Sequence, residues 1–544
     1  MNFRFTSSLV KARLTDEASF FPHYRQATAL LGDRFYFSAV YDGRKWFHTH
    51  AVAARIELTS PLAPYITVYS IDQVPVRLPH YPGACDGDYI GHEPGLYPDL
   101  LRPTNRILIN RDHAGQLYFE LNVPTDLAPG DYPITVSLKG EFEEELTDTL
   151  TLTVLNAKLP DQAVHYTNWF HYDCLATHYG VEIFSERHWE IVESFVRTAT
   201  RLGIDTLLTP IFTPPLDTEV GGERPTVQLV DITIENGKCS FGFEKLKRFC
   251  EMCLRCGVNQ LEIAHFFTQW GAEHAPKIMA TVDGEYKRIF GWETDATSSE
   301  YIGFLHEFIP AVREKLDEYG YKDRYYFHIS DEPRSIHLES YKAAKESIWK
   351  LICDRPVRDA LSHYEFYEQG IVKDPVPVVS TADIFVQNNV PDLWVYYCCS
   401  PGSVCSNRFI AMSANRTRVI GAQIFRAGAT GFLHWGYNFY YNKHSIAPID
   451  PFTVTDGDYF APAGDAYVVY PAPNGTPLLS LHGVLMEQAL HDTRAMAAAE
   501  QVVGREAVIA AIERAGITDF KHYSIDPQKL LDLRDEINRM AASK

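Results

Sequence analysis

The sequence predicts a multidomain α and β chain: an N-terminal β-sandwich over residues 1–157, then a TIM-type (β/α)8 barrel over residues 161–544 that ends in a C-terminal helical extension. Three observations predict it. Short apolar strands separated by turn signals fill the first part. From about residue 161 strands alternate with helical patterns, and eight such strands can be counted. One of them, Tyr325-Tyr326-Phe327-His328-Ile329-Ser330-Asp331-Glu332-Pro333, runs into two adjacent carboxylates and a proline.

In the first part, residues 35–41 are aromatic and β-branched, and Asp42-Gly43 supplies a turn. Residues 46–58 and 65–71 alternate like half-buried strands. Pro129-Gly130-Asp131-Tyr132 is a turn signal, and residues 133–138 and 149–155 close the region as two more strands. Residues 78–102, rich in Pro, Gly, Asp and Tyr, read as a long loop of the kind that serves function or packs on a neighbouring domain. Asn156 to Pro160 reads as the linker.

In the second part, the expected barrel strands are residues 165–172, 206–212, 261–267, 325–332, 359–364, 376–381, 393–399 and 431–436. Helical periodicity covers residues 183–202, 244–256, 302–319, 336–353 and 408–420, with Gly203 and Gly320 as stop signals. Residues 228–243 read as a hairpin about Asn236-Gly237. Residues 478–503 and beyond are helical. An open doubly wound sheet is the alternative, but no Gly-rich phosphate fingerprint supports it.

The chain of 544 residues is 46% hydrophobic and 22% charged, values of an ordinary globular protein, with a formal net charge of −20. That charge argues against nucleic acid or an anionic membrane as partner, because either needs a basic patch. No apolar run approaches a membrane span, and the N-terminus lacks a signal-like apolar core, so the sequence as given reads as cytoplasmic. Ten cysteines suit a reduced compartment. Cys250, Cys253 and Cys256 lie on one stripe of a helix, and the expectation is a buried apolar face rather than a metal site. An oligomer is left open.

In a barrel, the C-terminal strand ends form one mouth. Trp169 and His171 on strand one, His265 on strand three, Asp331 and Glu332 on strand four, Tyr396 and Tyr397 on strand seven, and Trp435 and Asn438 on strand eight would converge there. Aromatic faces cover the apolar C–H face of a sugar, and polar groups bond its hydroxyls, so this set suits carbohydrate. His328 is expected to face the core. No H-x-H or H-E-x-x-H pattern occurs in these stretches, so no metal or other cofactor is expected.

The run His328-Ile329-Ser330-Asp331-Glu332-Pro333 resembles the catalytic Asp-Glu signature of glycoside hydrolase family 123. Asp392 to Tyr397, Gly431 to Asn438, Pro462-Ala463-Gly464-Asp465 and Val469-Tyr470-Pro471 resemble later blocks of the same group, and Asn122-Val123-Pro124 with Pro129-Gly130 resembles its leading sandwich. The resemblance implies a retaining β-N-acetylgalactosaminidase in which the substrate's own acetamido oxygen attacks C1. It implies that Glu332 protonates the leaving oxygen, with a pKa raised by the Asp331 charge, and that Asp331 orients the acetamido group. By the same analogy a tyrosine, Tyr396 before Tyr397, holds the acetamido oxygen, Trp435 floors the sugar ring and Asn438 bonds a hydroxyl. Alternatives stand beside it, among them a metal-dependent hydrolase, which activity that survives chelation would remove. Another is a two-carboxylate glycosidase with Glu365 or Glu368 as nucleophile. A third is a non-catalytic carbohydrate-binding protein.

Overall fold

The computed structural model describes residues 2–43, 51–140 and 145–543; the first residues of the expected strand 46–58 lie outside them, and the strand is described from Ala51 to Thr59. The N-terminal part is rich in sheet. Strand Arg34–Asp42 pairs antiparallel with Asn2–Ser7 on one side and Ala114–Asn122 on the other. Ile66–Val76 and Gly95–Pro103 continue this sheet. A second, five-stranded sheet runs in the order Gln26–Leu31, Glu145–Lys158, Gly130–Gly140, Ala51–Thr59 and Arg106–Asn110.

Strand alternation gives the first sheet two buried faces. Phe5, Phe37 and Phe119 point one way into a core shared with Ile134, Val136, Leu150 and Leu152 of the second sheet. Phe37 stacks on Phe119 with centroids 4.6 Å apart. Tyr36, Tyr69 and Tyr118 point the other way, into the core of the C-terminal part. The long segment 78–102 is a loop only as far as residue 94, because its end is the strand Gly95–Pro103.

The two parts are locked together. Strands Val469–Pro471 and Pro477–Ser480, from late in the chain, complete the first sheet to seven strands by pairing beside Gly95–Pro103. At this seam the buried carboxylate of Asp99 accepts from the Tyr470 hydroxyl and from His482 Nδ1, each at 2.6 Å. Lys11 Nζ donates to the carbonyls of Ile410 and Met412, and burial holds its pKa down to about 8. Helix Leu481–Val503 is capped by the Ser480 hydroxyl and buried along most of its faces, as expected of a helix packed between layers.

From residue 165 onward the eight expected strands are present and parallel where they pair, but shorter than the sequence suggests. Six form one sheet in the order Tyr325–Tyr326, Gln260–Ile263, Thr206–Thr209, His165–Asn168, Gly431–His434 and Trp394–Tyr396. Arg358–Leu361 and Asp374–Pro377 form a separate pair. Single bridges, Phe327 to Val357 and Val378 to Tyr396, join that pair to the two edges of the larger sheet. The arrangement is therefore of half-barrel sheets, not one continuous ladder. Among the expected strands, the fourth loses most. Past Phe327 its backbone turns to a side chain: the Ile329 amide donates to Asp359 Oδ1 at 3.0 Å.

Helix Glu244–Cys256 occupies the expected residues, and Cys250, Cys253 and Cys256 are buried along it. The hairpin Asp231–Glu235 with Lys238–Gly242 is also as expected, but a second hairpin, Ile278–Val282 with Glu285–Phe290, extends it to four strands. The helix expected over residues 408–420 begins only at Ala414, capped by Ser413. Arg408 is instead wholly buried, donating to His434 Nδ1 and to the carbonyls of Gly436 and Asp465. No helix among the described residues is long and apolar enough to cross a membrane.

Candidate active site

A cavity of about 320 Å³ opens at the C-terminal ends of the parallel strands. Asp331 and Glu332 line it, together with Trp169, His171, Tyr396 and Trp435. Six of the nine site residues expected from the sequence are thus brought together. Tyr397, Asn438 and His265 are not among its lining residues, and each has a different setting. The alternation along strand Trp394–Tyr396 turns Tyr397 inward, where its hydroxyl meets Met486 Sδ at 3.8 Å. Asn438 spends its amide on the backbone of His171, accepting from the amide and donating to the carbonyl. His265 is buried and stacks on His328 with centroids 4.1 Å apart.

The acids sit on irregular backbone. Glu332 has φ +44°, in the left-handed region, immediately before Pro333. Trp270, whose amide donates to the Asp331 carbonyl at 3.0 Å, has φ +60°. Such conformations cost roughly 1–3 kcal/mol each and gather where function requires a set geometry. The Tyr396 hydroxyl donates to Glu332 Oε1 at 2.7 Å. Burial and the neighbouring Glu332 charge push the Asp331 carboxyl well above the usual carboxylate range. The resemblance implied a raised pKa for Glu332; the group pushed up in the structure is Asp331.

Beneath the pair lies a buried charged cluster. His328 Nε2 donates to Glu262 Oε1 at 2.5 Å, and its Nδ1 faces Asp359 Oδ1 at 3.3 Å. Burial opposes a charged ring, but Glu262 and Asp359 overcome it and raise the His328 pKa to about 9. His328 is therefore an imidazolium. Burial and this neighbouring charge hold His265 well below its ordinary value, so the stacked ring is neutral. Glu262 also accepts from Trp169 Nε1 at 2.8 Å, which fixes the indole in the cavity wall. His265, His328 and Asp359 lie close enough to suggest a metal centre. Both ring nitrogens of His328 are already engaged there, by Glu262 and Asp359.

The walls are equally fixed. His171 Nε2 donates to the Trp435 carbonyl at 2.9 Å, and its Nδ1 accepts from Arg224 Nη2 at 3.2 Å. Burial and the Arg224 charge lower its pKa to about 3, so it is a neutral wall and not a proton carrier. Trp435 Nε1 donates to Asp465 Oδ2 at 2.9 Å. Burial holds that carboxyl up to about 7.

Sequence reasoning missed Asp217. It lines the cavity, its Oδ2 has no partner, and burial raises its pKa to about 6. The Nε2 of Gln269, which also lines the cavity, is likewise buried and unpartnered. Leucine and proline surround Asp217 in sequence, so nothing local marks it. Glu365 and Glu368, the expected alternative nucleophiles, are exposed on a short helix outside the cavity lining.

The family model described as the glycoside hydrolase 123 catalytic domain matches residues 169–499, more than half of the chain and all of the cavity. The chain belongs to glycoside hydrolase family 123. Its fold is similar to that of a family 123 glycoside hydrolase from Clostridium perfringens, studied for glycolipid glycan hydrolysis. The TM-score is 0.74 at 13% identity, over 100% of this chain and 97% of that one. A putative glycoside hydrolase from Bacteroides vulgatus has a TM-score of 0.31 at 9% identity, over 82% of this chain and 77% of that one. No curated protein sequence matches the chain. Family membership makes this protein a glycoside hydrolase, acting on carbohydrate.

Proposed function

We propose that the eight strands work as one (β/α)8 mouth and that the protein is a retaining exo-glycosidase releasing terminal β-linked N-acetylgalactosamine by substrate-assisted catalysis. The observation that carries this reading is the adjacent pair Asp331 and Glu332 in one cavity, with Tyr396 on Glu332. Adjacent acids cannot flank a glycosidic bond about 5–5.5 Å apart, as the usual retaining pair does, whereas they can serve one substrate group and its neighbour.

Glu332 protonates the leaving oxygen while the acetamido oxygen attacks C1. The C1–O bond breaks and an oxazolinium forms. Asp331 accepts the acetamido N–H and, as an anion, stabilises the positive ring. Its raised pKa in the empty cavity is offset when that N–H and the developing charge arrive, since both favour the carboxylate. Water, deprotonated by Glu332, then opens the oxazolinium with retention. Trp435 and Trp169 offer indole faces for the sugar. Tyr396, which holds Glu332 in the free enzyme, turns its hydroxyl to the acetamido oxygen when substrate binds.

Comparing matched chromogenic β-glycosides tests the mechanism. Replacing the N-acetyl group by a hydroxyl removes the nucleophile, and turnover is expected to vanish. Turnover that persists rejects substrate assistance. One observation favours a second reading: Asp217 is a cavity carboxylate with a free oxygen, and could act as a nucleophile in a two-carboxylate enzyme. A fluorosugar label on Asp217 would establish it.

A further inference from the structure

The loop that precedes strand Gly95–Pro103 gathers three metal-ligating side chains that the reaction does not use. Ligand atoms of His80, Cys85 and His92 all lie within 4.8 Å of one another. We propose that these three residues bind one borderline-soft divalent cation, zinc by its donor set, which clamps this loop against the rim of the active-site cavity.

The ring of His80 is already oriented for the task. Its Nδ1 donates to the Tyr81 carbonyl at 3.0 Å, which leaves the Nε2 lone pair facing outward. A histidine ligand commonly has its other ring nitrogen fixed by a carbonyl in this way. His80 Nε2 lies 3.3 Å from His92 Nδ1. That is long for a hydrogen bond, and it matches the edge of a tetrahedron with zinc–nitrogen bonds of about 2.0 Å. The Tyr89 ring packs on both imidazoles, with centroids 5.3 and 5.4 Å away. Cys85 supplies the thiolate; on binding, its thiol loses a proton to solvent, so uptake weakens as pH falls. Cys85 and His80 are half-buried and His92 is exposed, so a water can fill a fourth position from the His92 side.

The backbone on both sides of Cys85 is anchored, which limits what the cation must organise. The Ala84 carbonyl rests on Gly402, leaving no room for a methyl group there. Asp86 pairs with Arg416 at 2.6 Å, and the Tyr89 hydroxyl donates to the Gly402 carbonyl at 2.6 Å. The same loop reaches the cavity through Tyr81, whose hydroxyl donates to the carbonyl of Phe460, a lining residue, at 2.7 Å. The cation would tie His80, next to Tyr81, to the anchored turn.

The test is zinc uptake by the full, untagged chain after chelator stripping, read by competition with a chromogenic zinc indicator. Cobalt substitution provides a thiolate charge-transfer band as a second readout. Wild type is expected to take one equivalent, weakened at least about tenfold in Cys85→Ser and in His92→Ala, with circular dichroism unchanged and the cobalt–thiolate band lost in Cys85→Ser. Absence of uptake by wild type overturns the proposal. So does uptake that survives in the Cys85→Ser/His92→Ala double variant, or that is lost instead on changing Cys398 and Cys399, the thiols that line the active-site cavity.

Discussion

The Tyr396 hydroxyl donates to Glu332 Oε1 at 2.7 Å, joining the seventh strand to the acid on the segment that follows the fourth. A hydrogen bond to a charged group contributes roughly 1.5–3 kcal/mol. Tyr396→Phe is therefore expected to lower kcat/KM by roughly 10- to 100-fold while the protein stays folded. Steady-state kinetics beside a thermal melt would check this. An unchanged kcat/KM would mean that the contact does not act in the reaction.

The Asp331 carboxyl is pushed above its ordinary range by burial and Glu332, and the proposed mechanism uses its anion. Activity should fall on the acid side as Asp331 takes up its proton. The acid limb of kcat/KM should therefore lie above the ordinary aspartate value of about 4. In Asp331→Asn that limb should be lost along with most of the rate. A wild-type limb at or below the ordinary value would contradict the role given to Asp331.

His328 is raised from 6.5 to about 9 by Glu262 and Asp359, against the effect of burial. A raised pKa in the folded state means that the ring's contribution to stability is complete below about 6.5, the unfolded value, and is lost as pH rises through about 9. Thermal stability should decline across that window, and His328→Gln should flatten this dependence. The variant leaves two buried carboxylates short of a partner, at a cost of roughly 3–5 kcal/mol. Melts at a series of pH values would show both effects.

How far the sequence revealed the molecule follows from where each signal lay. The Glu244–Cys256 helix was legible to the residue, because Leu246, Phe249, Cys250 and Cys253 form an uninterrupted apolar stripe ended by Gly257. The acids were legible because Pro333 and a preceding apolar run mark a strand end. The fourth strand was overestimated because the pattern of residues 325–330 cannot show that the Ile329 amide turns to the Asp359 side chain. Tyr397 and Tyr396 are alike in sequence; only the strand register separates the wall of the cavity from the core. Asp217, and the strands that complete the N-terminal sheet from residues 469–480, depend on contacts across hundreds of residues, for which no local pattern exists. The His80, Cys85 and His92 cluster lies within one short stretch of chain, but its spacing matches no compact metal motif.

Strand Gly431–His434 carries two cavity-lining residues, Leu433 and, just beyond its end, Trp435, and begins with a glycine for a steric reason. A Cβ on Gly431 would overlap the indole of Trp394 on the paired strand. Gly431→Ala is expected to destabilise the protein by about 1–3 kcal/mol through this overpacking. Urea unfolding would measure it, and an unchanged midpoint would mean that Trp394 moves aside freely.

In the proposed mechanism, Asp331 and Glu332 act together on an N-acetylated sugar. The most direct measurement is hydrolysis of paired chromogenic β-GalNAc and β-GlcNAc glycosides by wild type, Asp331→Asn and Glu332→Gln. Wild type is expected to turn over the GalNAc compound, and that turnover is expected to collapse in both variants while both remain folded. Turnover indifferent to Glu332 would contradict that mechanism and place the chemistry elsewhere in the cavity, with Asp217 the first residue to change.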